Sequence, residues 1–183
     1  MKAITRVLMA TGLMVTATAA SAHAGHDAGT GFASGLLHPM AAIGFWSVRQ
    51  SSTLKNSTPL FVIGGMILGA GIAWSGLSLP GVETGIALSV LLAGILIATM
   101  AKLPTVVGGT LVAAFMVFHG FAHGTEMPAG AALVAYLIGF SIATLTLTLF
   151  GQGLGAAMMK ADGRLGRALG GLVAGAGAFL AAA

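Results

Sequence analysis

The segment FHGFAHGTEMP, Phe118 to Pro128, holds the densest set of side chains in this sequence that could do chemistry. His119 and His123 are four residues apart, so on a helix they share one face, the spacing at which two imidazoles reach one metal ion. Glu126 lies three residues further along that face and could complete such a site, orient His123, or draw cations toward it. One ion cannot take all three from a straight helix, because seven residues rise about 10 Å. His119 and His123 are therefore the expected pair. The segment does not read as a metalloprotease motif, since HExxH needs a glutamate directly after its first histidine as general base, and Gly120 stands there.

A third imidazole, His38, precedes Pro39, whose ring leaves the carbonyl four residues earlier without its usual amide partner and so adds an oxygen donor. Along the spans given below, His38 and His119 come out level, roughly 8 to 9 Å from the outer ends of their helices at 1.5 Å per residue. A lone intramembrane histidine is usually a satisfied core group, but three at one depth with a carboxylate above them favour a metal site. Further out, the run HAGHD supplies His23, His26 and Asp27. Imidazole and carboxylate suit nickel, cobalt, zinc or copper(II), so these three are secondary ligand candidates, with a plain solvated linker as the alternative.

The elements that must position these groups are membrane helices. The chain has 183 residues, of which 57% are hydrophobic and 7% charged, with a mean hydropathy of +1.00. A soluble domain carries about 25% charged residues, so this one cannot cover a globule with polar side chains. The absence of cysteine excludes a disulfide scaffold, a cysteine zinc ribbon and a thiol nucleophile. The basic residues form no patch, which argues against a nucleic-acid partner, and GxxxxGK[ST] does not occur. No Ser, His and Asp set suggests hydrolysis, and the chain reads as a non-enzyme.

Lys2 and Arg6, the apolar run Val7 to Val15 and the small-residue pattern Ala20-Ser21-Ala22 read as a signal peptide, residues 1–22, cleaved before His23. Residues 23–31 would form a periplasmic histidine-bearing tail and residues 32–183 an all-α domain of six spans. The expected spans are Phe32 to Val48, Pro59 to Leu79, Glu83 to Ala101, Pro104 to Gly124, Ala129 to Phe150 and Leu165 to Ala183. Each is close to the ~20 residues that cross a bilayer. Breakers are expected at Pro59, Pro80-Gly81, Pro104, Pro128 and Gly151 to Gly155. With the mature N-terminus outside, Arg49, Lys55, Lys102, Lys160, Arg164 and Arg167 all fall in inward connections, while Glu83 and Glu126 face outward, as the positive-inside rule requires. Both mature termini are then periplasmic and the membrane is a bacterial inner membrane. Four glycine pairs at i, i+4, namely Gly65/Gly69, Gly81/Gly85, Gly166/Gly170 and Gly171/Gly175, predict close helix packing and permit a homo-oligomer.

These residues resemble the HupE/UreJ family of nickel and cobalt permeases. The matching pieces are the His-bearing N-terminus, GFASGLLHPM (Gly31 to Met40), FHGFAHGTEMP, and GFSIATLTLTLFG (Gly139 to Gly151). The resemblance implies a hydrogenase or urease accessory protein of the inner membrane that admits Ni²⁺ or Co²⁺, as cargo rather than as a tightly bound cofactor. It also implies roles for His38, His119, His123 and Glu126. Two departures stand out. The Gly-x-Asp-His stretch that follows His-Pro in the family is absent, and Thr148 occupies the place of a fifth-span histidine. A hydroxyl is a weaker ligand than imidazole for such ions, so capture from the outside is expected to survive better than delivery inward. A non-transporting metal-binding accessory protein remains an alternative, and a bis-histidine haem protein using His38 with His119 or His123 is a third reading.

Overall fold

The computed structural model describes residues 39–161 and 163–182. The expected signal peptide, the tail with His23, His26 and Asp27, and His38 all lie outside the described residues. Within them the elements are helices: α1 (Pro39–Ser47), α2 (Ser52–Trp74), α3 (Val82–Ala98), α4 (Thr105–Thr125), α5 (Leu133–Ala161) and α6 (Gly163–Ala182). Four are long and apolar enough to cross a membrane, namely α2, α4, α5 over Leu133–Met158, and α6, while α3 is a shorter apolar helix. Many large apolar side chains point outward, among them Leu60, Leu68, Val106, Ile142, Leu172 and Phe179. Water would not tolerate that surface and lipid does. The chain is a membrane protein.

The helices pair as α2 with α4, α3 with α6, and α1 with α5. Glycines set the register. A Cβ on Gly65 would strike Ala113 and Met116, one on Gly69 would strike Val117, and one on Gly124 would meet Ala70 and Ala73, so α2 and α4 run parallel. Gly94 abuts Ala174, Gly170 abuts Ala98 and Gly177 abuts Leu91, so α3 and α6 run antiparallel. On α5, Gly151 faces Ala41 and Gly155 faces Phe45, so α1 and α5 run parallel. These directions are the ones an up-and-down chain must have. The α1–α2 turn and the α3–α4 loop meet at one end, where Trp46 Nε1 donates to Ala101 O (2.9 Å), Gln50 Nε2 donates to the same carbonyl (3.0 Å), and Leu103 N donates to Gln50 Oε1 (2.9 Å).

Several sequence expectations need correction. Pro59 lies inside α2, which starts at Ser52 with Ser51 Oγ capping Leu54 N (3.2 Å). The run Gly151 to Gly155 is not a break either: α5 continues through it to Ala161. Its glycines are there for contact, since a side chain at Gly151 would collide with the Ala41 carbonyl. Gly171 and Gly175 meet nothing within 4 Å, and Gly81 is a positive-φ cap of α3 rather than half of a packing pair. The buried core is Met40, Trp46, Leu54, Val62, Met66, Met116 and Val173 with their neighbours.

Candidate metal-handling site

His119 and His123 stand on the last turns of α4, with Glu126 just past its end. The glycines between them decide how the histidines face. Gly120 lies against the Met66 carbonyl and Gly124 against Ala70, so this side of α4 seats on α2 at backbone contact. The imidazoles are thereby turned toward α3 and α5.

His119 is 2% exposed, and its Nε2 lies 2.9 Å from Ser89 Oγ on α3. Ser89 has one hydroxyl hydrogen, and Ile86 O takes it at 2.6 Å. The serine oxygen is thus held between Ile86 O and the His119 ring. A partner on a neighbouring helix holds a histidine ring in one orientation, as the partners of metal-binding histidines do.

His123 stacks on Phe140 of α5 with ring centroids 5.9 Å apart and planes 4° from parallel, and Tyr136 meets Phe140 edge-on at 5.7 Å. Glu126 Oε2 is 4.0 Å from His123 Nδ1, an ion-pair distance too long for a hydrogen bond. The carboxylate thus acts on His123 through its charge. The carbonyls that end α4 have partners: Ala122 O takes Glu126 N and Thr125 Oγ1, His123 O takes Tyr136 OH (2.8 Å), and Gly124 O takes Trp74 Nε1 (3.1 Å). Such satisfaction is what a helix end near the bilayer requires.

The structure thus joins His123 to Glu126 and seats His119 on Ser89. Among the described residues no three His, Asp or Glu side chains gather as a metal-binding group. Sequence reasoning missed Ser89, Tyr136 and Phe140. Ser89 had a signal, as the one hydroxyl between Ile86 and Ile97 in an apolar run, whereas Phe140 looked like packing filler.

Comparison with known proteins now bears on these residues. The family described as HupE / UreJ protein matches residues 11–180. The chain belongs to the HupE/UreJ family. Protein HupE of Rhizobium leguminosarum bv. viciae is 39% identical over 175 residues, covering 88% of this chain and 89% of that protein. No solved structure matches the chain. Within this HupE/UreJ chain, the two glycines of FHGFAHGTEMP serve helix contact and its two histidines serve the interior. Thr148, at the position of the fifth-span departure, is fully buried; its Oγ1 donates to Thr144 O (2.8 Å), and its carbonyl is pressed against Gly44.

Proposed function

We propose that this HupE/UreJ protein is an inner-membrane permease that takes Ni²⁺ or Co²⁺ from the periplasm. His119 and His123 are the principal ligands, His38 a third, Glu126 the outer carboxylate, and His23, His26 and Asp27 a collecting tail. The chain crosses six times after removal of its signal peptide, with both mature termini periplasmic. The observation that carries this reading is His119: an imidazole 2% exposed inside a membrane-spanning helix, its ring held by Ser89 of α3, one turn below the His123–Glu126 pair. A buried ionisable group in such a helix is costly without a task. Imidazole nitrogens can replace water on a borderline divalent ion step by step, and the carboxylate raises the local cation concentration at the entrance.

Uptake of radioactive nickel and cobalt by cells making the intact protein, beside the His119→Ala, His123→Ala double variant at matched membrane levels, tests the proposal. Uptake lost in the variant supports it; intact cells no better than cells without the protein overturn it. One observation favours a second reading, a non-transporting metal-binding accessory protein. The α1–α5 contact is closed to backbone distance at Gly44 and Thr148, where the family resemblance would place an inner histidine. Stoichiometric metal binding without flux is the signature of that alternative.

A further inference from the structure

At the end of the bundle away from the histidines, a narrow cleft with about 10 Å³ of free space opens between α1, α3, α5 and α6, walled by Phe45, Trp46, Leu96, Ile97, Met100 and Met158. Arg49 lines it as well, and its Nε is buried with no hydrogen-bond partner. A buried cationic N–H without an acceptor is expensive, so something of opposite charge belongs beside it. A second guanidinium borders the same wall: Arg167 Nε donates to Met100 Sδ at 3.1 Å, and a thioether is a weak acceptor.

Met100 is itself unusual. It holds φ 57 in the turn that ends α3, where Ala101 N donates to Leu96 O and Met100 N to Ile97 O, the position that glycine normally fills. A methionine there costs backbone energy, and its side chain forms part of the cavity wall.

The position of the cavity narrows the ligand. Met158 near the end of α5 and Gly163 at the start of α6 both line the cavity. It therefore lies where the helices leave the hydrocarbon, at headgroup level. The helix ends and connections at this end carry Arg49, Lys55, Lys102, Arg164 and Arg167. That charge repels a divalent cation, so the cavity is no exit for the cargo, and a small free anion would leave the apolar walls without a partner.

We infer that an anionic phospholipid seats over the mouth of this cleft, its phosphodiester at Arg49 and Arg167 and an acyl chain against Leu96, Met100 and Met158. Guanidinium and phosphate oxygens form strong charge-assisted hydrogen bonds, and basic pockets between helices on the positive side of a membrane suit such headgroups. The site does not depend on the transport reading.

Native mass spectrometry of the full chain, released from nanodiscs holding equal amounts of phosphatidylglycerol and phosphatidylcholine with the same acyl chains, tests it. Phosphatidylglycerol is expected to stay bound in preference to phosphatidylcholine, and Arg167→Gln should cut its retention about five-fold. Arg49→Gln should do the same; because that residue is partly buried, Met158→Trp provides a second route, filling the cavity while both arginines remain. Equal retention of the two lipids by the unaltered protein overturns the inference, as does retention unchanged in both Arg167→Gln and Met158→Trp. Displacement of the lipid by millimolar inorganic phosphate also overturns it and makes the site one for a free anion.

Discussion

The side-chain amide of Gln152 donates to the backbone carbonyl of Lys55 at 2.9 Å, and that carbonyl is the one Pro59 leaves without an amide donor. The same Nε2 lies 3.0 Å from Ser47 Oγ, which in turn donates to Gly44 O. One glutamine on α5 thus ties the end of α1 to the start of α2 and lets a proline sit inside a membrane helix. In lipid an unpaired carbonyl has no water to turn to.

Gln152→Leu should therefore lower stability by about 1–3 kcal/mol, the cost of stranding a buried polar group. Thermal unfolding in detergent measures it. Adding Pro59→Ala restores the helical N–H to Lys55 O and should recover part of the loss. If the double variant is no more stable than Gln152→Leu alone, the carbonyl is not what the glutamine serves.

Ser89→Ala removes the hydroxyl that holds the His119 ring while leaving the imidazole in place. Loss of an orienting partner of this kind typically costs about 10–100-fold in metal affinity. The KM for nickel or cobalt uptake should rise accordingly with protein level unchanged, and Ser89→Thr should restore much of it. An unaltered KM in Ser89→Ala would make the contact a packing detail.

Gly120→Ala and Gly171→Ala separate contact glycines from surface glycines. A methyl at Gly120 meets the Met66 carbonyl, which cannot withdraw without parting α2 from α4, and overpacking of this kind costs about 1–3 kcal/mol. A methyl at Gly171 meets nothing within 4 Å and should be neutral or slightly stabilising. The two melting temperatures, measured side by side, decide the matter.

Because the sequence contains no cysteine, single cysteines report topology without background. Ser78→Cys and Ala129→Cys sit at exposed positions on the histidine end, and Asn56→Cys and Lys102→Cys at exposed positions near the other. A membrane-impermeant maleimide should label the first two in intact cells and the second two only after permeabilisation. The reverse pattern would place the His123–Glu126 pair on the cytoplasmic side.

The membrane class and the helical character were legible in the sequence because each depends on composition or on spacing within one helix. His119 and His123 share a face by periodicity alone, and so few charges among so many apolar residues leave no soluble fold. Partners across helices were not legible. Ser89 lies 30 residues from His119, and Gln152 lies 97 from Lys55. Nothing local marks such pairs, since many small hydroxyls and amides in the chain could have served. The breakers misled for the same reason: whether Pro59 or Gly151 ends a helix depends on what stands opposite, a glutamine amide in one case and the α1 backbone in the other. Composition and periodicity thus set the solvent and the elements. Only tertiary packing decided which hydroxyl holds the His119 ring, which glycines touch, and which side chains wall the cleft beside Arg49, because hydrogen bonds and close contacts between helices have no period in the chain.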